Sequence, residues 1–205
     1  MANELTVNSL RWAIQQIGPK MEASAEELNA LDGQLGDGDL GVTMVNGSKA
    51  ILGKIDELPD DLGGSFLKCA QILMTEGGSS FGTLLATGLM SAAKACKGNL
   101  SVSWIEMSVL MGGATEAMAR RGRSGLGDKT GLDALEAIRV ALEGEEDPQV
   151  MLELADRAAA DALDQFRHLP AKQGRARIFA EKSVGLDDPG QLAIKRITEA
   201  LRDAK

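Results

Sequence analysis

The chain has 205 residues, a formal net charge of −8 and 3% aromatic residues. This length supports one hydrophobic core, so we expect a single domain over residues 1–205. The acidic balance disfavours non-specific binding to nucleic acid or to anionic membranes, because either surface would repel the average field of the protein.

Cysteine and histidine usage limits the chemistry that the chain can perform. Cys69 and Cys96 lie in apolar stretches without zinc-ligand spacing. The single histidine, His168, follows a predicted helix, where a solvated or capping side chain is commoner than a catalytic one. Zinc catalysis and Cys-His nucleophilic catalysis are therefore disfavoured, and we assign His168 no role.

The first residues point to a cytoplasmic protein. They lack the basic start and the long apolar core of an export signal. No apolar run in the sequence approaches the roughly 20 residues that span a bilayer. We therefore expect a cytoplasmic location and no membrane partner.

Residue usage predicts an all-α fold. Alanine and leucine dominate, tyrosine is absent, and β-branched residues rarely alternate with polar ones. Asp147-Pro148 and Asp188-Pro189 each place an N-cap aspartate before a proline suited to the first helical position. The predicted helices, in chain order, cover residues 5–17 (closing at Gly18-Pro19), 24–31, 42–55, 65–74, 80–96, 101–119 and 132–142, and two more begin at Pro148 and Pro189.

An acidic loop at residues 31–41 carries the strongest chemical signal. Asp32, Asp37 and Asp39 lie within eight residues, separated by glycines that allow a tight fold. The loop lacks the twelve-residue EF-hand pattern, and three carboxylates are few for a calcium cage built by protein alone. Magnesium bound jointly by carboxylates, water and a polyphosphate fits better. The open alternative is that Asp37 and Asp39 are turn formers or N-caps of the next helix.

A second glycine-rich segment, GGSSFG, begins at Gly77 and opens a predicted helix. Its backbone N–H groups and the hydroxyls of Ser79 and Ser80 suit a phosphate at a helix N-terminus. A double glycine followed by serine also caps many ordinary helices, and both interpretations stay open.

The segment Gly122 to Asp133 resembles a phosphate loop in composition but lacks the GxxxxGK[ST] order. Lys129 follows an aspartate, and Asp128 or Thr130 could equally cap the next helix. The preceding basic run, RRGR at residues 120–123, is equally explained as a solvated helix end.

Near the C-terminus, Arg175 or Arg177 could neutralise a phosphate. Both arginines precede a polar, glycine-rich stretch that reaches Gly190. Taken alone, this region is better explained as an ordinary surface loop before a capped helix.

Four segments in this order closely resemble the nucleotide-binding domain family of dihydroxyacetone kinases, specifically its free-standing L subunit: LDGQLGDGDLG, GGSS, RRGRSGLGDKTGLDAL and GRARIFAEKSVGLDDPG. The resemblance covers nearly the whole chain and implies an antiparallel eight-helix barrel with a nucleotide at one end. It further implies that Asp32, Asp37 and Asp39 coordinate two Mg²⁺ ions beneath the phosphates of ADP or ATP.

The same resemblance implies the remaining binding residues. Positions near the phosphates and ribose would be Leu40, Gly41, Val42, Thr43, Ser79 and Ser80. Gly122 and Gly131 would lie near the adenine, and Arg175 would reach the phosphates. Residues that would close over the nucleotide are Asp188, Pro189 and Gly190.

Three positions depart from the family pattern. Leu40 stands where histidine or threonine is usual, Thr43 where asparagine is frequent, and Gly131 where a larger residue, commonly methionine, follows GDKT. Loss of a polar group and of an apolar wall is expected to weaken nucleotide binding or to change the partner served. Because the metal ligands are present, the resemblance implies a specialised member with activity.

As a member of this family, the chain would present the nucleotide to a sugar held covalently by a histidine of a separate K-type subunit, and it would be inactive alone. The donor would be ADP rephosphorylated by a phosphohistidine protein of the phosphotransferase system, or exchangeable ATP. Dihydroxyacetone or a related ketose would be the acceptor, and a homodimer stays open. The alternative is a noncatalytic, nucleotide-responsive protein that binds a kinase subunit or a transcription regulator.

Overall fold

The computed structural model describes residues 4–76 and 79–204, and of Arg175 and Phe179 it describes the backbone alone. These residues form nine α-helices, two short strands and three 3₁₀ helices. The α-helices are α1 (Val7–Ala23), α2 (Ala25–Leu35), α3 (Leu40–Leu52), α4 (Leu62–Glu76), α5 (Ser80–Ala95), α6 (Met107–Gly122), α7 (Gly131–Ala141), α8 (Pro148–Arg167) and α9 (Pro189–Asp203). The strands are β1 (Glu4–Thr6) and β2 (Ser101–Ser103), and the 3₁₀ helices are Ile55–Glu57, Trp104–Glu106 and Arg175–Ser183.

Side-chain caps fix the starts of several helices. Asp147 accepts a hydrogen bond from the amide of Gln149 and starts α8, and Asp188 accepts from the amide of Gln191 and starts α9. Each cap is followed by a proline at the first helical position, whose missing N–H is no loss there. Both start predictions from the sequence are confirmed.

The predicted end of the first helix at Gly18-Pro19 is wrong. Pro19 lies inside α1, which continues to Ala23. A proline within a helix loses one backbone hydrogen bond. Here the continuation buries Met21 completely and places Gly18 against Leu52 of α3, and this packing offsets the loss.

Two predicted helices begin too early, because their first residues form a small antiparallel sheet. β1 pairs with β2, with Leu5 opposite Val102, and both of these side chains are buried. The first helix therefore begins at Val7, and the sixth begins at Met107 after a 3₁₀ turn. Pairing between segments so far apart in sequence leaves no local signal.

Helix packing closes the chain into a ring. α1 packs against α3, each helix from α3 to α9 packs against the next, and α9 returns to α1. The additional short helix α2 lies against α3 and α9. The all-α class is confirmed, and this closed order of contacts agrees with an eight-helix barrel.

Two clusters of buried side chains form the core. The larger lies between α1 and α3–α9 and includes fully buried Leu62 and Cys96, and the smaller includes Met21 and Leu28 beside α2. Phe81, at the start of α5, packs against both clusters. Because burial of apolar surface is the main stabilising term, this junction holds the two parts of the core together.

Burial also affects the reactivity of the two cysteines. Cys69 and Cys96 are both buried free thiols. Burial raises the pKa of the Cys69 thiol to about 11 and also raises that of Cys96. Thiolate chemistry is disfavoured at both positions.

The length and polarity of each helix decide whether it could cross a membrane. The longest helix, α8, has 20 residues and carries acidic and basic side chains along its length. Within residues 4–76 and 79–204, no helix is both long and apolar enough to cross a bilayer.

Candidate functional site

A cavity of about 860 Å³ opens where four helix N-termini meet. Leu40 of α3, Ser80 of α5, Gly131 of α7 and Pro189 of α9 all line it, and each is the first residue of its helix. A helix N-terminus carries partial positive charge and amide N–H groups without intrahelical partners. The arrangement therefore favours a ligand with negative charge.

The acidic loop borders the same cavity. Asp32 belongs to the last turn of α2, whereas Asp37 and Asp39 lie between α2 and α3, and all three line the cavity. One carboxylate oxygen from each of the three lies within 4.8 Å of the others. Hard oxygen ligands at this separation suit a divalent cation such as Mg²⁺.

Main-chain hydrogen bonds shape the loop around Asp32. The Oδ2 atom of Asp32 accepts from the amides of Asp39 at 3.0 Å and Leu40 at 3.4 Å. Gly38 has a φ of +75°, a conformation that glycine adopts without strain. As the sequence suggested, glycine lets the backbone turn sharply between the two exposed aspartates, Asp37 and Asp39.

The alternative interpretation of Asp39 as a helix cap does not hold. Asp39 occupies the N-cap position of α3, but its carboxylate makes no capping hydrogen bond. Asn29 of α2 performs that role, because its Oδ1 accepts from the amides of Gly41 at 2.8 Å and Val42 at 3.3 Å. Sequence reasoning missed Asn29, which lies outside the acidic loop.

Of the four predicted positions at the start of α3, Leu40 lines the cavity. Gly41 serves helix packing, since an added Cβ would lie only 2.1 Å from the carbonyl oxygen of Ala25. Thr43 is buried and Val42 is half exposed. The first turn of α3 thus reaches the cavity with its first residue, Leu40.

The serine segment caps its helix as predicted and also lies at the cavity. Ser79 caps α5 by accepting from the amide of Gly82 at 3.2 Å, and Ser79 and Ser80 also line the cavity. Gly77 and Gly78 lie outside the described residues.

Lys129 faces the interior and not the cavity. Its Nζ donates to the carbonyl oxygens of Arg167 (3.1 Å), Leu169 (2.8 Å) and Ser183 (2.7 Å), and the side chain is 1% exposed. Burial lowers the pKa of this amine, which nearby Asp188 partly restores. The phosphate-loop composition of this segment is therefore not matched by a phosphate-facing lysine.

Lys129 instead anchors a segment that we name the flap, residues 169–187. The amide of Ala171 donates to Ser183 Oγ at 2.7 Å, and the amide of Gly185 donates to the carbonyl of Arg167 at 2.8 Å. The flap closes one side of the cavity with Gln173, Gly174, Ala176, Arg177 and Ile178. The backbone of Arg175 begins the 3₁₀ helix of the flap.

The start of α7 lines the cavity through Gly131 and its N-cap Thr130, and Gly122 of α6 lies nearby. Thr130 and Asp133 form a capping box, so the interpretation of Thr130 as a cap is confirmed. Asp133 also accepts from the amide of Gly127 at 2.6 Å. Burial raises the pKa of its carboxyl, against the lowering effect of these amides.

Asp188, Pro189 and Gly190 all line the cavity at the start of α9. Burial raises the pKa of the Asp188 carboxyl to about 7, and repulsion from Asp133 acts in the same direction. The hydrogen bond from the Gln191 amide opposes that shift.

The expected gap beside Gly131 is not found. A Cβ added at Gly131 would lie 3.3 Å from Cε2 of Phe81, so the ring of Phe81 fills this space. An apolar wall is therefore present beside Gly131, and Phe81 of α5 supplies it.

Several cavity residues carried no recognisable signal in the sequence. Phe81 was given no role from the sequence, and Arg121 belonged to a basic run equally explained as a solvated helix end. A periodic apolar pattern predicts which helix face is buried but not which buried side chains border a cavity. The lining residues not singled out from the sequence are Leu35, Phe81, Thr83, Leu84, Met118, Arg121, Ser124, Leu132, Gln173, Gly174, Ala176 and Ile178.

Comparison with known protein families gives one match over most of the chain. The model of the family described as DAK2 domain matches residues 34–203. That range contains two of the three clustered aspartates and all the other predicted binding positions.

Curated proteins similar to this chain include subunits and longer enzymes. The ADP-binding subunit DhaL of the PEP-dependent dihydroxyacetone kinase of Escherichia coli (strain K12) is 27% identical over 197 residues, which cover 94% of this chain and 93% of that protein. The corresponding subunit of kinase 1 of Listeria innocua is 28% identical, with 89% of this chain and 88% of that protein covered. A triokinase/FMN cyclase of Rattus norvegicus is 30% identical over 98% of this chain, which spans 35% of that longer enzyme.

Solved structures share the fold. The dihydroxyacetone kinase of C. freundii in its native form superposes with a TM-score of 0.77 at 23% identity, over 97% of this chain and 34% of that one. The same enzyme in complex with AMP-PNP and Mg²⁺ gives a TM-score of 0.76 at 24% identity, over 95% of this chain and 33% of that one. At sequence identities this low, the two structures support the fold of this chain and nothing further.

Proposed function

Because the chain belongs to the DAK2 domain family, we propose that it binds ADP or ATP through magnesium and presents the nucleotide to a ketose kinase partner. The chain would then be one subunit of a phosphotransferase that acts on dihydroxyacetone or a related ketose. The relatives of matching length are named as ADP-binding subunits of such kinases, which supports this assignment.

One observation carries the proposal: three carboxylate oxygens gather at the edge of a cavity that four helix N-termini surround. A polyphosphate would be repelled by the aspartates alone. A bound divalent cation reverses that repulsion, and the helix N-termini and the cavity-lining Arg121 and Arg177 add positive charge. This combination fits a magnesium–nucleotide complex better than either component alone.

We assign two Mg²⁺ ions to Asp32, Asp37 and Asp39. When bound, the ions would neutralise phosphate charge and polarise the transferring group. The protein would contribute positioning, because Asp32 holds the loop through two amides while Ser79 and Ser80 present hydroxyls beside it. Of the residues assigned from the sequence, those that line the cavity would contact the nucleotide: Leu40, Ser79, Ser80, Gly122, Gly131, Asp188, Pro189 and Gly190. Gly41, Val42, Thr43 and Arg175 stay assignments from the sequence alone.

We further propose that the chain is inactive without a K-type subunit that binds the sugar. The sequence contains one histidine, and the exposed His168 ends α8 at a position absent from the cavity lining. A histidine that holds a ketose would therefore come from the partner. Activity of the purified chain alone toward dihydroxyacetone with ATP would contradict this assignment.

The phosphoryl donor is proposed to be a phosphohistidine protein of the phosphotransferase system that recharges bound ADP. Relatives of matching length are named as PEP-dependent or PTS-dependent, which supports this route over exchangeable ATP. An ADP that stays bound through gel filtration would favour recharging, whereas rapid exchange with ATP would favour the second route.

The deciding experiment is calorimetric titration of ADP and ATP into nucleotide-stripped protein, with and without Mg²⁺. We expect magnesium-dependent binding that Asp37→Ala or Asp39→Ala weakens by about 100-fold or more, since each removes a metal ligand. Asp56→Ala is the matched control, because Asp56 is an exposed aspartate in the 3₁₀ helix Ile55–Glu57, outside the cavity lining. Absence of wild-type binding would leave the noncatalytic interaction protein as the better assignment.

A further inference from the structure

Phe81 occupies an unusual position at the edge of the cavity. It is the second residue of α5, is half-buried, and lines the cavity while packing against both core clusters. Its Cε2 atom would lie 3.3 Å from a Cβ at Gly131 and 3.1 Å from a Cβ at Gly190. The ring edge therefore rests on the bare backbone at the start of both α7 and α9.

Glycine at position 131 is favoured by close neighbours, the ring of Phe81 and the backbone of Gly190, and not by its own backbone conformation. Gly131 is the first residue of α7 and does not have the positive φ that favours glycine. An added Cβ would also approach the carbonyl carbon of Gly190 to 3.3 Å. A side chain at position 131 and the ring at position 81 thus compete for the same space.

The ring forms a wall and does not fill the cavity. A volume of about 860 Å³ remains with Phe81 in place, and ligand pockets of roughly 300–1,000 Å³ are typical. The cavity lining also includes apolar Leu84, Met118 and Leu132. A planar, weakly polar group packs well against such surfaces, and a charged polyphosphate does not.

We propose that Phe81 is a specificity-determining residue that binds the nucleoside part of the ligand, and that Gly131 is glycine in order to admit this ring. The inference rests on the proposed nucleotide function. It adds that the apolar contact comes from α5 and that positions 81 and 131 act as a coupled pair.

Inorganic pyrophosphate tests the assignment because it shares the charged part of ADP and lacks the nucleoside. Phe81→Ala should weaken binding of Mg·ADP by about tenfold, in line with loss of an aromatic contact. The same variant should bind Mg·pyrophosphate within about twofold of the wild type. A general loss of structure would weaken both ligands, and circular dichroism would report it independently.

The coupling is tested by a second pair of variants. Gly131→Met should weaken Mg·ADP binding by about tenfold or more, because its side chain meets the ring of Phe81 and the start of α9. Phe81→Ala combined with Gly131→Met should bind more tightly than either single variant, since the flexible methionine then fills the vacated space. Gly53→Met is the control, because Gly53 is an exposed helix end outside the cavity lining with φ −65°.

Three outcomes would overturn the inference while leaving the proposed function in place. The first is equal weakening of ADP and pyrophosphate by Phe81→Ala, and the second is tighter ADP binding by that variant, which would make the ring an obstruction. The third is simple additivity of the two single effects in the double variant. Failure of the proposed function is distinguishable, since the wild type itself would then not bind Mg·ADP.

Discussion

Two groups of aspartates in this protein differ in what their oxygens contact. Those of the acidic loop are exposed or half-buried and converge at a cavity. The second group, which we name the structural aspartates, consists of Asp133, Asp156 and Asp188. Asp133 and Asp188 accept hydrogen bonds from backbone amides at helix starts. Asp156 forms ion pairs with Lys195, which is largely buried, and with Arg202, which is half-buried.

The difference shows that clustering and burial give carboxylates opposite roles. A buried carboxylate must be satisfied by its own neighbours, so its removal costs stability. A cluster of accessible carboxylates is held together against its own repulsion, so its removal should cost little stability but abolish cation binding. Substitution of individual residues in each group tests whether the acidic loop and the structural aspartates differ in this way.

Asp156→Ala should lower the free energy of unfolding by about 3 kcal/mol, because the largely buried Lys195 loses its ion-pair partner and Arg202 keeps only its exposed pair with Asp203. Asp156 accepts from Lys195 Nζ at 2.6 Å and also contacts Arg202 and Thr198, and its side chain is 8% exposed. Urea unfolding would measure the loss. Asp161→Ala, on the exposed face of the same helix, should stay within about 0.5 kcal/mol of the wild type. Equal stability of Asp156→Ala and Asp161→Ala would contradict the structural role assigned to Asp156.

Lys129→Met should lower the free energy of unfolding by about 2–3 kcal/mol, since three backbone carbonyls lose a common buried donor. It should also loosen the flap and thereby weaken Mg·ADP binding. Amide hydrogen exchange over residues 169–187 would show faster exchange in the variant, while α3 and α4 keep the wild-type rate. Unchanged exchange in the flap would mean that its other hydrogen bonds suffice.

Asp188→Asn should remove a pH dependence of stability of about 1–2 kcal/mol. The full pKa shift would give roughly 4 kcal/mol, but Asp188 is only half-buried at the cavity, where solvent screens its charge. Burial raises the pKa of Asp188 to about 7, so the folded state holds this proton more tightly than the unfolded state. The stabilisation is complete below about pH 4, near the unfolded pKa, and is lost as the pH rises through 7. Asparagine still caps α9, which isolates the charge.

The measurement is the difference in unfolding free energy between wild type and Asp188→Asn from pH 4 to pH 8. The wild type should lose stability relative to the variant as the pH rises. A difference that stays flat across this range would show that the Asp188 carboxyl has an ordinary pKa. Asp133, whose pKa is also raised by burial, repels Asp188, so the difference reports the titration of Asp188 together with its effect on Asp133.

Asp37→Ala and Asp39→Ala should change the free energy of unfolding in magnesium-free buffer by no more than about 0.5 kcal/mol. Both side chains are exposed, and removal of either relieves repulsion within the acidic loop. Thermal unfolding without Mg²⁺ would measure this small effect, and the stabilisation gained on adding Mg·ADP should be present only in the wild type. A loss of 2 kcal/mol or more would place these residues among the structural aspartates.

Local features of the fold and the site could be predicted from the sequence because each depends on neighbours along the chain. Asp147 and Asp188 start helices through hydrogen bonds to amides two or three residues later. The acidic loop brings Asp32, Asp37 and Asp39 together within eight residues, so a single turn suffices to gather their oxygens. The sequence alone therefore determined the helical class, these helix starts and the composition of the acidic cluster.

The tertiary structure decided which distant residues meet. Lys129 lies in a phosphate-loop-like segment, yet it is buried against carbonyls 38 to 54 positions away along the chain. Phe81 reaches the bare backbone of Gly131 and Gly190 only because α5, α7 and α9 begin at the same end of the ring. Such contacts depend on how the helices pack, and packing depends on the shapes of many side chains at once, so no local pattern specifies them.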